Sequence, residues 1–174
     1  MTLVGCGSSA TDSGKDLRVK KPEPPSPTQM IDSKDGVATY WGAKNEKAWT
    51  IHWAKGATAM PSHAGNQMQA GRMEDVDGQI FKNETVACTF RAKHGIADKS
   101  THILVLTDNV QVVAQNPKAT LFCDELTYDG NRKFFKAHGH VRILGTMGTV
   151  GTLEEVWATP HLDKVASPDM FDQP

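Results

Sequence analysis

The feature that most constrains this chain is a weak internal repeat. Residues 92–113 (AKHGIADKSTHILVLTDNVQVV) lie over residues 123–144 (CDELTYDGNRKFFKAHGHVRIL) at an offset of 31 positions. Only two positions in the overlay are identical, Asp98 over Asp129 and Val110 over Val141. The order of features is nevertheless kept: an acidic turn, an apolar strand, a small or polar break, and a second alternating strand. A fixed period of this size predicts stacked supersecondary units that bury one shared apolar face, which none of them can bury alone. Architectures of that kind commonly bind something along their length.

The rest of the chain agrees with β structure. Gly, Thr and Val are frequent, and no long stretch has the 3.6-residue apolar period of a helix. Between residues 36 and 166 short strand patterns follow one another: 37–41, 48–53, 73–82, 85–92, 101–107, 109–114, 119–128, 132–137, 140–144 and 154–158. Trp49, Ile51 and Trp53 share one face by the two-residue period. In the strand ending at Ile143, Phe135, Ala137, Gly139, Val141 and Ile143 form an apolar face, while Lys136, His138, His140 and Arg142 form a basic one. Leu104, Leu106, Val110 and Val112 take the equivalent apolar positions in the earlier unit, where Asp108 stands in the place of Gly139. Regular short strands with turns and no helical period predict an all-β fold: a sandwich, a jelly roll or a β-solenoid. Residues 56–71 have no clear pattern.

A net charge of −1 with scattered Lys and Arg carries no nucleic-acid footprint. No apolar run has the length of a membrane-spanning helix. The segment 1–35 reads as a linker, with Pro22, Pro24, Pro25 and Pro27 favouring extended polyproline II. Residues 167–174 are expected to be a disordered tail.

Catalytic machinery is not visible: there is no G-x-S-x-G, phosphate loop, dinucleotide fingerprint or zinc-helix motif. His138 and His140 fall on one strand face about 7 Å apart, but spacing marks no third zinc ligand, and His161, Asp163 or His102 would reach them only through the fold. The pair therefore reads as part of a solvated basic face, open to contact with phosphates. Asp124, Glu125, Glu154 and Glu155 are the only candidates for paired carboxylates, and adjacent strand residues point to opposite faces. Cys88 and Cys123 read as two buried thiols, with a disulfide between them, which an envelope location permits, as the alternative. Trp41, Trp49, Trp53 and Trp157 read as core or rim. No cofactor or metal is expected, and no enzyme activity.

Residues 49–144, with a W-x-I-x-W strand, a D-V-D-G-Q-I-F segment, an A-x-x-G-x-A-D turn and two G/D-x-V-x-V/I returns, resemble the periplasmic lipopolysaccharide-transport protein LptC and its relatives of the OstA/LptA type. The resemblance implies an all-β fold, an open, twisted β-jelly-roll built from stacked short antiparallel strands, whose slot holds the acyl chains of lipopolysaccharide, received from an inner-membrane ABC transporter and passed to an LptA-like bridge protein. On that reading Leu104, Leu106, Val110, Val112, Leu121, Phe135, Val141 and Ile143 line the slot or its core. An edge formed by Glu154, Val156 and Ala158 pairs with the bridge, and the strands between residues 37 and 53 dock on the transporter. A proline at position 156 is expected to weaken bridge pairing while sparing the fold. The location implied is the periplasm, at the inner membrane.

The commonest LptC form carries an N-terminal transmembrane helix, which this chain lacks as given. Leu3-Val4-Gly5-Cys6 resembles a bacterial lipobox instead, so Cys6 is expected to be lipidated, with an apolar signal segment encoded upstream. The reading from a different class is a β-scaffold of the cell envelope that binds no lipid and acts through edge-strand pairing.

Overall fold

In a computed structural model of the chain, residues 28–42, 45–61, 70–146 and 148–171 are described. They form one antiparallel sheet of nine strands in strict sequence order, β1(Thr28–Trp41), β2(Lys47–Pro61), β3(Ala70–Lys82), β4(Thr85–Asp98), β5(Ile103–Gln115), β6(Lys118–Asp129), β7(Phe134–Gly145), β8(Gly148–Ala158) and β9(Val165–Ala166). The sheet is not closed, since β1 and β9 lie at its two ends. The fold is all-β, as the pattern predicts, and open, as the resemblance implies.

The strands are longer than the patterns that mark them, because several patterns are two halves of one strand. Residues 101–107 and 109–114 join in β5, and residues 132–137 and 140–144 join in β7. The break between the halves is a β-bulge. Register shifts fall between Arg91 and His94, Thr107 and Val110, Phe122 and Glu125, and His138 and Val141. Backbone φ is positive at Asp35, Asp75, Asp108, Asn109, Gly139 and His140. A bulge adds a residue to one strand and bends it. Aligned across neighbouring strands, these bulges make a fold line along which the sheet doubles over into two half-sheets.

The repeat now has a physical content. Asp98 Oδ1 accepts the backbone N–H groups of Ser100 (2.8 Å) and Thr101 (3.3 Å). Asp129 Oδ1 accepts those of Asn131 and Arg132, both at 3.0 Å. The shared aspartate is thus the residue that closes each hairpin turn by mimicking a backbone acceptor. Val110 and Val141, the other identity, are the first core residues after the bulge, 1% and 0% exposed. The polar break, Asp108-Asn109 over Gly139-His140, is the bulge itself.

The interior lies between the half-sheets. Residues from both sides of the fold line, such as Leu106, Leu126 and Phe135 on one side and Ile51, Ile80 and Leu121 on the other, belong to a single buried cluster. The half-sheets also meet at the end away from the fold line. There Tyr40 of β1 packs on His102 of the β4–β5 turn with ring centroids 5.0 Å apart, and Lys133 of the β6–β7 turn lies 3.7 Å from Glu46 of the β1–β2 connection.

Two boundaries differ from expectation. Pairing starts at Thr28, within the expected linker, because Thr28 through Lys34 continue the β1–β2 ladder to Pro61. The expected tail does not simply trail away: Phe171 is buried and packs on Phe134 and Trp157, each at 5.9 Å between centroids. Burial of an aromatic ring outweighs the low propensity of the short segment that carries it.

Candidate functional site: the interior between the half-sheets

Alternation places one side chain in two inside, and the eight residues expected to line a slot all obey it. Leu104, Leu106, Val112, Leu121, Phe135 and Val141 are 0% exposed, Val110 is 1% and Ile143 is 8%. The sheet brings them together in one cluster with Trp49, Trp53, Phe90 and Tyr128. In this conformation they form one buried cluster that is closed to solvent.

A mouth leads toward this interior at the end where the turns meet. It is a cavity of about 280 Å³ lined by Tyr40, Phe81, His102 and Tyr128, with Lys47, Lys82 and Lys133 around it. The Lys47 ammonium sits 4.3 Å from the centroid of Phe81, a cation on an aromatic face. Tyr40 stacks on Trp49 at 5.4 Å. Burial drives the Tyr128 phenol well above its ordinary range, and Tyr40 is raised by the same cause and by the charge of Glu46. Both hydroxyls are therefore neutral donors and acceptors at physiological pH. The Trp49 indole N–H is buried without a hydrogen-bond partner among the described residues. None of these mouth residues has a spacing signal; they meet only because four separate inter-strand connections converge.

Along the fold line, histidines pair with carboxylates. His94 Nδ1 lies 2.8 Å from Asp108 Oδ2, His140 Nδ1 lies 2.6 Å from Asp124 Oδ2, and His138 Nε2 lies 3.3 Å from Glu154 Oε1. His138 and His140 do share an outer face, yet each turns to a different carboxylate. The hydrogen bond and charge of Asp124 hold the His140 imidazole above its ordinary value of 6.5. Asp124 and Glu154, two of the candidate acids, thus bridge neighbouring strands.

Cys88 and Cys123 are free and buried. Burial pushes both thiols up to about 12, which removes the thiolate that a nucleophile or metal ligand requires.

The C-terminal edge needs correction. Glu154 is exposed, but the side chains of Val156 and Ala158 point into the core at 2% and 0% exposure. The backbones of Trp157 and Ala158 are already paired with Ala166 and Val165 of β9. Two-residue alternation turns Val156 inward, and β9 caps the end of the strand. Among the described residues, 148–156 have no partner strand on that side, and Leu153, which pairs with inward-facing Val141, is 40% exposed. At the opposite edge β1 exposes Val37 and Trp41. Cys6 lies outside the described residues, and among those described no helix is long and apolar enough to cross a membrane.

Residues 62–152, just over half of the chain, match the family described as lipopolysaccharide-assembly, LptC-related. No curated protein matches the chain.

Proposed function

Because this chain belongs to the LptC-related family of lipopolysaccharide-assembly proteins, we propose that its interior carries the acyl chains of lipopolysaccharide between an inner-membrane ABC transporter and an LptA-like bridge. The observation that supports this most is the open, doubled sheet, whose apolar interior runs out to a solvent-exposed lip at Leu153. An unclosed sheet parts at its free edges without breaking a ladder, whereas a closed barrel cannot. Loading exchanges side-chain contacts for acyl contacts. Each methylene taken from water contributes about 0.8 kcal/mol, so a chain moving between two such interiors meets no steep gradient, and direction comes from the transporter.

Residues 148–156 of β8, without a partner strand on that side among the described residues, offer their backbone to a bridge protein by strand addition. The β1 edge, with Val37 and Trp41, is the corresponding surface for the transporter. Lipidated Cys6 is the membrane anchor in this reading, and the proline-rich segment after it is a spacer extending about 3 Å per residue. The protein then acts in the periplasm at the inner membrane.

The closed, buried interior favours a second reading, the envelope scaffold that binds through its edges and holds no lipid. Tryptophan fluorescence separates the two, since Trp49 and Trp53 are both in the buried cluster. Lipopolysaccharide with brominated acyl chains should quench them under carriage. Unchanged emission at saturating lipid leaves the scaffold.

A further inference from the structure

The cavity of about 280 Å³ at the end away from the fold line holds more polar groups than the protein itself pairs. Tyr40 and Tyr128 line it and are only 7% and 1% exposed, yet neither hydroxyl has a hydrogen-bond partner among the described residues. Buried polar groups are ordinarily paired, so two unpaired hydroxyls on one cavity call for an occupant. Half-buried Lys47 and exposed Lys82 line the same space, and neither is in an ion pair among the described residues.

The β4–β5 and β6–β7 turns form the facing wall and are locked together. Gly130 N–H donates to the His102 carbonyl at 2.9 Å, an approach that a Cβ on Gly130 would crowd. Asn131 Nδ2 donates to the Thr101 carbonyl at 3.4 Å, which turns its Oδ1 toward His102 Nδ1 at 2.5 Å and pins the imidazole against Tyr40. His102 and Lys133 are the last residues of the two turns, and both have positive φ, 62° and 57°. Glycine is favoured in that backbone, and a larger side chain kept there at a conformational cost marks a task. Lys133 lies 3.7 Å from Glu46, the one acid among the described lining residues. Lys47, Lys82 and Lys133 thus stand against Glu46. Beyond the lining, Asp129 pairs with Arg132 at 4.0 Å, and the hydrogen bond from Thr159, more than the charge of Lys82, holds the Asp163 carboxyl below its ordinary range. Counting Asp163 too, three cations face two acids, which suits a ligand with a single negative charge.

We propose that this end cavity binds a small aromatic monocarboxylate, its ring against Tyr40, Phe81 and His102, and its carboxylate held by Lys47 and Lys82 with the Tyr128 hydroxyl. Ring-on-ring packing supplies affinity beyond the area buried, and ammonium groups and hydroxyls give a carboxylate charge-assisted hydrogen bonds. The volume falls just below the roughly 300–1,000 Å³ of sites for drug-sized ligands, so the occupant is small. A second negative charge on the ligand would meet Glu46. The proposal does not rest on acyl carriage.

The test uses the whole chain and proton–nitrogen NMR titration, which gives both affinity and place. The probes are naphthoate, neutral naphthalenemethanol, acetate and inorganic phosphate. Naphthoate should bind saturably, shift the amide signals of Phe81, His102 and Tyr128, and bind at least tenfold more tightly than the other three. Tyr128→Phe and Lys47→Gln should each weaken it about threefold or more, while Lys55→Gln, on the outer face, should not. Lys133→Gly separates binding from folding: it relieves the left-handed backbone, so the melting temperature should hold or rise, while unmasking Glu46 weakens naphthoate about threefold. Absent saturable binding overturns the proposal. So do equal affinity for any of the other probes, shifts confined to another part of the sheet, wild-type affinity in both Tyr128→Phe and Lys47→Gln, or a Lys133→Gly chain that melts lower and binds as before. Because no probe has an acyl chain, failure here leaves lipid carriage untouched.

Discussion

Adding one methyl group at Gly36 tests how tightly the fold line is built. An ideal Cβ there would lie 2.1 Å from Trp53 Cζ2 and 2.5 Å from its Nε1. Gly36 pairs directly with Trp53 across the β1–β2 ladder, and Gly56 closes on the same indole, 2.7 Å from Nε1 to its own ideal Cβ. The ring is thus clasped between two glycines, with its N–H donating to Ser33 Oγ at 3.0 Å. Gly36→Ala forces the indole out of this clasp. Overpacking costs about 1–3 kcal/mol and the lost hydrogen bond about 1 kcal/mol, for a total of about 2–4 kcal/mol. At about 2–4 °C per kcal/mol for a chain of this size, the melting temperature should fall by about 4–16 °C. Chemical denaturation of Gly36→Ala, Trp53→Phe and the double variant supplies the control. The smaller Phe ring leaves room for the methyl, so the double variant should be more stable than the sum of the singles by about 1 kcal/mol or more. A Gly36→Ala chain within about 0.5 kcal/mol of the wild type, or strictly additive singles, would refute the clasp.

The raised imidazole of His140 stabilises the folded state below its ordinary value of 6.5, and that contribution is lost as pH rises through the raised value. Asp124→Asn should therefore flatten the change in urea midpoint between about pH 5.5 and about pH 8.5; an unchanged slope contradicts the pair. With thiols pushed up to about 12, neither Cys88 nor Cys123 should react with iodoacetamide at about pH 8 unless denaturant is present, as peptide mapping would show. Phe171→Ala should destabilise by about 2–4 kcal/mol, below or within the range for a fully buried ring, and should speed proteolysis after residue 166. Val156→Pro, aimed at the edge, should instead damage the core, whereas Leu153→Asp should leave the melting temperature within about 2 °C while weakening capture by an LptA-like bridge.

What was legible in the sequence follows from what a strand exposes to pattern. The faces of β5, β6 and β7 alternate cleanly between inside and outside, so Leu104 through Ile143 could be placed inside from spacing alone. The period of 31 residues could be seen, but its polar break looked like a gap between short strands. In β5 and β7 the break keeps the parity, so Leu106 and Val110, and Ala137 and Val141, all stay inside; it reads as an ending because Asp108-Asn109 and Gly139-His140 are residue types that serve turns and positive φ. The inward turn of Val156 was hidden because the β7–β8 register shifts twice, around Val141. The mouth was beyond reach, because Tyr40, His102 and Tyr128 come from different hairpins and share no spacing. Phe171 was missed because a lone aromatic in a polar, proline-flanked segment carries no period at all.

The central claim is that acyl chains occupy the space between the half-sheets. Site-specific photo-crosslinking in cells tests it, with the probe replacing Leu104, Val112, Phe135 or Ile143, all inward-facing, and Thr127 or Lys136 on the outer face as controls. Circular dichroism of each purified variant confirms that it folds. Carriage predicts lipopolysaccharide adducts from the four interior positions and none from the two controls; folded variants that give no adduct at any interior position would contradict it.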